Sequence, residues 1–302
     1  MSGCEGLKAD IQAVLRSDRV SVLPVDSRDF PPLLLETGDA PLSLMLRGEP
    51  KALEAPCVAI VGARRASPAG LESARYLAYG LARCGLTIVS GLAQGIDSGA
   101  HRGALEAGGR TIAVLGNGHA HCYPRNNLAL VREIAESGGL LVSEYPPWEK
   151  PRARNFPERN RIISGLSLAV VVVEAAERSG SLITARLALE QGRDVMAVPG
   201  PRASSLSRGC HRLLRQGAAL VEEPKDILET LDLATQLPAT QSVSVPLEDT
   251  EKRVLQAIDY AYTRIDAISS HSGVTHEVLL RVLPGLELKG QVKRFGDGYT
   301  RC

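Results

Sequence analysis

Between residues 57 and 232 the chain repeats one pattern: a short β-branched apolar run, a Gly- or Ser-rich break, then a stretch with helical spacing. The runs are "CVAIVG" (57–62), "LTIVSG" (86–91), "TIAVLG" (111–116), "LLVSEY" (140–145), "LAVVVVEA" (168–175), "DVMAVPG" (194–200) and "AALV" (218–221). Each is continuously apolar rather than alternating, the pattern of a strand covered on both faces. "GLESARYLAYGLARCG" and "SLITARLALEQGR" have helical periodicity, and the second stops at Gly192, a residue suited to ending a helix. Such repeats predict an α/β domain: a Rossmann-like, doubly wound, mainly parallel sheet with helices on both faces.

The flanks read differently. In residues 1–54 "LKADIQAVLRS" has helical spacing, but prolines interrupt "FPPLLLETGDAPLSLMLRGEP", so a short N-terminal extension is expected ahead of a domain at 55–233. "ATQLPATQSVSVPL" (234–247) has the composition of a linker. Residues 248–302 open with the helical "DTEKRVLQAIDY" and continue as short helices and a terminal hairpin around "GDG", which predicts a small winged-helix-like module.

Composition narrows the function classes. A net charge of +1 over 302 residues means that any polyanion site must come from local clustering. The 6 cysteines form no C-x-x-C pair and no zinc-like spacing with histidine, so no metal is expected and a reducing cytoplasm suits the chain. No signal-peptide pattern opens the sequence, and "LAVVVVEAA" is too short to span a bilayer, so no membrane partner is expected.

In doubly wound sheets ligands bind at the carboxyl ends of the strands. Those ends here are "GARRAS", "SGLAQGIDSGAH", "GNGHAHCYPRNN", "EAAERSGSLITA" and "PGPRASSLSRG", all rich in Gly, Ser or Arg. In "RSGSLITA" the residues Ser179, Gly180 and Ser181 fall at a helix start with Thr184 in its first turn, where free N–H groups favour an anion. Ordinary N-capping by Ser179 or Ser181 is the competing reading. "RARNFPERNR" (152–161) concentrates Arg152, Arg154, Arg159 and Arg161 ahead of the most apolar strand, and Arg64 and Arg65 follow the first strand on the same rim. Guanidinium groups suit phosphate because each can hold two oxygens. Phe156 among them either stacks on a base or tucks into the core.

Other chemistries lack their signatures. No G-x-G-x-x-G follows the first strand and the second ends in Ser90–Gly91 rather than an acid, which disfavours NAD; no phosphate-binding G-x-x-x-x-G-K-[ST] loop occurs. No cofactor is therefore expected. Asp97 and His101 stand at helical i and i+4, but no G-x-S-x-G elbow accompanies them, so structural roles are expected for both. "HAHC" (119–122) has no neighbouring carboxylates to complete a metal site.

"VAIVGARRAS", "TIVSGLAQGIDSGAH", "TIAVLGNG…YPRNN", "LVSEYPPW", "FPERNRIISGLS", "VVVEAAERSGSLITARLALEQGRDVMAVPG" and "RGCHRLLRQGAALV" occur in this order over roughly 57–228. Together they resemble the DNA-processing protein A family, DprA, also called Smf. The resemblance implies a non-catalytic bacterial protein that binds single-stranded DNA during natural transformation, shields it, helps load the RecA recombinase and works as a homodimer. It implies a basic pocket lined by Arg64, the loop around Gly91 and Gly95, and Phe156, Asn160 and Arg161, with Ser179, Gly180 and Thr184 adding neutral phosphate contacts. Arg65, Arg159 and Ser181 complete the candidate set. Leu213, Leu214, Leu220 and Ile227 are candidates for a dimer or partner surface, with a covered core edge as the equal alternative. His211 stands where the family usually has Asn, and the family's helical N-terminal domain looks shortened. The C-terminal module lacks a strongly basic recognition helix, which favours protein contact there. A second reading is a Rossmann-like nucleotide-processing enzyme of the nucleoside-monophosphate phosphoribohydrolase type, but its P-G-G-x-G-T loop and following glutamate are missing. A third is an interaction adaptor with a vestigial pocket.

Overall fold

The structure, a computed structural model, describes residues 20–233, 248–258, 263–288, 291–295 and 298–301. Its first elements are β1 (Ser21–Pro24), a single-turn helix α1 (Pro32–Leu35) and β2 (Ser43–Gly48). β1 pairs antiparallel with β2, which pairs antiparallel with the main sheet, and Phe30, Leu34, Leu44 and Leu46 enter the core. Residues 20–54, expected as part of an extension, are thus built into the domain. The prolines do not prevent this: Pro32 opens α1, where a missing N–H costs nothing, and Pro24 ends an edge strand.

The alternating elements follow: β3 (Cys57–Val61), α2 (Pro68–Arg83), β4 (Thr87–Ser90), α3 (Ile96–Glu106), β5 (Thr111–Val114), α4 (Leu128–Glu136), β6 (Leu140–Ser143), α5 (Asn155–Gly165), β7 (Ala169–Val172), α6 (Ser181–Glu190), β8 (Asp194–Ala197), α7 (Arg208–Arg215), β9 (Ala219–Leu220) and α8 (Pro224–Thr230). The nine strands run in the order β1-β2-β6-β5-β4-β3-β7-β8-β9, with β3 to β9 mutually parallel. From β3 the chain winds outward to β6 on one side, and from β7 to β9 on the other. The winding direction therefore changes between β3 and β7, the position where such sheets leave a crevice.

Both faces of the sheet are covered. Ala59 and Val61 of β3 pack with Ile162, Ile163, Ala185 and Ala188 of α5 and α6. Val58 and Ile60, one residue out of phase, pack with Ala74, Leu77 and Leu81 of α2 and with Ile96 and Ala100 of α3. Gly192, at φ +70°, follows α6 as its sequence position predicts.

The chain divides into two units, Met1–Leu237 and Pro238–Cys302; the expected linker at 234–247 lies outside the described residues. The second unit contains α9 (Asp249–Gln256), β10 (Thr263–Arg264), α10 (Ile265–Ser272), α11 (His276–Leu288), β11 (Val292–Phe295) and β12 (Gly298–Arg301). Three helices and a three-stranded sheet ordered β10-β12-β11 make a winged-helix fold. Val254, Ile268, Leu279, Leu283 and Tyr299 contribute to its own core. Among the described residues no helix is long and apolar enough to cross a membrane.

Candidate nucleic-acid interface

The crevice begins with two interlocked loops. After β3, Gly62 lies so close to α3 that a Cβ there would stand 2.6 Å from Ile96 Cγ1. Ser67, at the other end of this loop, caps α2 by accepting from the Gly70 N–H at 3.0 Å. Its own N–H and hydroxyl donate to the Glu174 carboxylate beyond β7, at 2.9 and 2.6 Å. Arg64 therefore hangs on a segment pinned at both ends. The loop after β4 presses against it: Gly95 has φ +79°, a Cβ there would overlap the Ala63 carbonyl oxygen, and the Ile96 N–H donates to that oxygen at 3.2 Å.

Beneath the loops lies a layer of buried charge. Arg159, buried on α5, donates through Nη1 to the carbonyl oxygens of Gly91, at 2.8 Å, and Val114. It ties the helix to the carboxyl ends of β4 and β5. Asp97, buried in the first turn of α3, accepts from the N–H groups of Gly91 and Ala93 at 3.1 and 3.3 Å. A Cβ at Gly91 would stand within 2.8 Å of both side chains, so a larger residue there would displace this layer. Burial raises the Asp97 pKa against the opposing charge of Arg159, and burial lowers that of Arg159 to about 10.

His101 is held elsewhere. The Thr111 hydroxyl donates to the Ile88 carbonyl at 2.7 Å, so the 2.7 Å contact with His101 must be an Nδ1–H donating to the Thr111 oxygen. Burial lowers the His101 pKa to about 3, so the ring is neutral. Asp97 and His101 serve separate partners rather than forming a catalytic pair.

Above this layer a cleft of about 260 Å³ opens at the β3/β7 crevice. Arg64, Phe156, Arg159, Asn160, Ser179, Gly180, Ser181 and Thr184 all line it. Phe156, Asn160 and Ile163 fall at i, i+4 and i+7 of α5, with Arg159 at i+3, so one helix stripe faces the cleft. The Arg64 guanidinium lies 5.8 Å from the Phe156 ring centre, a cation–π distance. The ring also rests on Gly116, where a Cβ would meet it at 2.7 Å, and lies 5.1 Å from the Tyr123 ring. A second cavity of about 140 Å³ sits on the other side of Phe156, lined also by Gly91, Gln94, Tyr123 and Pro124. At the start of α6 the N-cap Gly180 offers no side chain; the Ser179 hydroxyl accepts a long bond of 3.4 Å from the Ser181 N–H and meets the Ser181 hydroxyl at 2.7 Å. Ser179 thus takes up part of the expected capping role, and the positive end of the helix dipole borders the cleft.

A profile described as DNA recombination-mediator protein A matches residues 21–232, and one for the DprA winged helix domain matches 238–298. The chain belongs to the DprA family. Protein Smf of Escherichia coli is 44% identical over 93% of this chain and 77% of its own length. The DNA processing protein DprA of Streptococcus pneumoniae is 47% identical over 66% of this chain and 70% of its own. The solved DprA structure from that organism superposes with a TM-score of 0.67 at 44% identity, covering 72% of this chain and 77% of that one. A DprA from Helicobacter pylori, whose structure is described as showing its single-stranded DNA binding mode, superposes with a TM-score of 0.64 at 33% identity, covering 70% and 95% of the two chains.

Not every residue expected in the pocket of this DprA-family chain is there. Arg161 lines neither cavity. It grips the Glu144 carboxylate with two bonds of 2.8 and 2.7 Å and reaches Asp39 at 3.3 Å. Residues two apart on a helix do not face the same way, so Arg161 points away from the stripe that carries Arg159. Arg65 and Gly95 line a separate open hollow of about 410 Å³ with Arg64, Arg75 and Arg102, where Arg75 is paired with Glu106 at 2.7 Å. Gly91 borders the second cavity. Of the expected dimer surface, Leu213 and Ile227 are buried in the two cores and Leu214 packs against one of them. Their helical periodicity serves the sheet, and Leu220, half exposed on edge strand β9, is the one of the four left at the surface. His211 donates to the Gly200 carbonyl at 2.9 Å and so fastens the loop after β8.

Tyr123 is the residue that sequence reasoning misses; "HCYPRNN" offers an aromatic beside a cation but no periodicity to place it. The histidines of "HAHC" brace this loop: His119 Nε2 lies 2.9 Å from the Met45 carbonyl and His121 Nε2 3.1 Å from that of Trp148. Among the described residues no group of metal-ligating side chains is assembled.

Proposed function

We propose that this chain is a non-catalytic single-stranded DNA-binding protein that protects incoming DNA and helps load RecA during natural transformation. The observation that carries the reading is the wall shared by the two cavities, Phe156 with the Arg64 guanidinium over it. A cation beside an aromatic ring suits a nucleotide: the guanidinium takes phosphate oxygens, and the ring and Tyr123 offer faces to bases. The start of α6, whose Ser179, Gly180 and Ser181 line the cleft, adds a second anion-favouring position through the helix dipole. Only unpaired bases are free to splay from their backbone and stack on these rings, which favours single strands over duplex. The single-stranded DNA binding mode of the Helicobacter pylori relative supports the same ligand.

Hydrolytic chemistry is disfavoured by the same geometry. Asp97 accepts backbone N–H groups, Glu174 accepts from Ser67, and His101 is buried and neutral, so none is free to act on a nucleoside phosphate. For the homodimer and the RecA contact the support is narrower: edge strand β9 leaves Leu220 and the backbone groups of an open sheet edge available to a second chain. The deciding measurement is fluorescence anisotropy of labelled oligo-dT and of its duplex, titrated at several salt concentrations. Salt-sensitive binding with strong preference for the single strand is expected. Equal binding of both forms, or release of free base from nucleoside monophosphates, would reject this reading.

A further inference from the structure

Beyond the second cavity lies a third, of about 240 Å³. Tyr123 borders both, as Phe156 borders the first and second. The three hollows are therefore neighbours in turn, Phe156 shared by the first and second and Tyr123 by the second and third, with the two rings 5.1 Å apart. The floor of the third is apolar, with Leu115, Leu128 and Val131 contributing, while Arg47 of β2 and Arg132 of α4 stand at its edge. Among the described residues no carboxylate lines it. Arg132 is exposed and Arg47 half-buried, and among the described residues neither is paired with an acid, unlike Arg161, Arg75 or Arg193. Two uncompensated guanidinium groups over an apolar hollow beside a tyrosine ring fit one nucleotide: base or sugar against the floor, phosphate between the forks.

We propose that the third cavity continues the single-strand track, taking the nucleotide beyond Tyr123 with Arg47 and Arg132 on its phosphate. The proposal rests on the single-stranded DNA reading given above. It extends the track from the β3/β7 crevice toward β6 and β2, the latter an antiparallel strand that a search for parallel β–α units alone would not include.

The test compares the wild type with an Arg47→Ala/Arg132→Ala double variant on oligo-dT of about 4 to about 16 nucleotides, the span of single-strand sites on small domains. The shortest oligomers, filling the first two cavities, should bind both proteins equally. Longer ones should bind the double variant roughly tenfold more weakly. Each phosphate contact on a single strand contributes about 0.7 to the slope of log affinity against log salt, so losing this one phosphate should lower the slope for long oligomers by about 0.7. Photocrosslinking of iododeoxyuridine-substituted oligomers to the wild-type protein gives a readout that needs no variant. Short oligomers should mark Phe156 and Tyr123, and only long ones the segment from Leu128 to Arg132. Equal affinity and slope at every length, or no crosslink to the Leu128–Arg132 segment, overturns the third cavity while a weakened Arg64→Ala variant keeps the main pocket. No binding of any oligomer by the wild type overturns both.

Discussion

Arg64 and Arg161 carry the same side chain and were expected in the same pocket, but their surroundings give them opposite roles. Arg64 has a ring beneath it and no ion pair among the described residues, since Asp97, which also lines the cleft, is held by backbone N–H groups. Arg64→Ala should therefore cost binding and little stability, with a charge-assisted contact of about 1.5–3 kcal/mol removed. Arg161 is held bidentately by a carboxylate as buried as itself. Arg161→Ala leaves Glu144 unpaired and should lower stability by about 1–3 kcal/mol while single-strand affinity holds. Thermal melts and anisotropy on the two variants separate the cases, and loss of affinity without loss of stability in Arg161→Ala would return it to the pocket. His101 gives a pH prediction. Its folded pKa, about 3, lies below its ordinary 6.5, so the neutral ring stabilises the fold fully above about 6.5 and loses that contribution as pH falls toward about 3. Asp97, whose pKa is raised, acts with the opposite sign, so the histidine is isolated by difference. Stability of wild type minus that of His101→Asn should shrink on acidification across that window; a difference independent of pH would show that the ring is not held neutral. The cluster of Arg159, Asn160 and Phe156 was legible from sequence as composition, but not as the i, i+3, i+4 stripe of a helix. Nor was the fate of each arginine legible, because Asp39 and Glu144 come from distant segments.

At the level of elements, the seven parallel strands were legible because a strand covered on both faces has no alternative to a continuous apolar run. β2 was not. "SLMLRG" buries Leu44 and Leu46 and leaves its other positions partly exposed, and prolines on either side mask so short an alternation. The pairing that places Arg47 beside the third cavity was hidden for the same reason. Loop geometry turns on single glycines. At Gly95 a Cβ meets both a left-handed φ of +79° and the backbone of the Arg64 loop. Gly95→Ala should destabilise by about 1–3 kcal/mol and, by shifting Arg64, weaken single-strand binding as well. Gly180, at φ −61° with open space within 4 Å of where a Cβ would stand, is the internal control. Gly180→Ala should leave stability unchanged or raise it by about 0.4–1 kcal/mol. Denaturant midpoints decide between them, and equal effects at the two positions would contradict the interlocked-loop geometry.

For the whole molecule, a net charge of +1 leaves little long-range attraction for a polyanion, so affinity must arise from local contacts. Every residue lining the three neighbouring cavities belongs to the first of the two units. The second unit has a core of its own, formed by residues from Val254 to Tyr299, and its fold is complete without side chains from the sheet. Separate cores imply separable folding. A chain ending at Leu237 should therefore melt cooperatively and bind oligo-dT within about twofold of the full-length protein, since no lining contact is lost. Its salt slope should also be unchanged, because that slope counts phosphate contacts and those sit in the first unit. A truncated chain that folds but binds with a shallower slope would place phosphate contacts in the winged helix. A chain with affinity and slope both intact would leave that module free for protein contact, the role favoured by helices that carry no net positive charge.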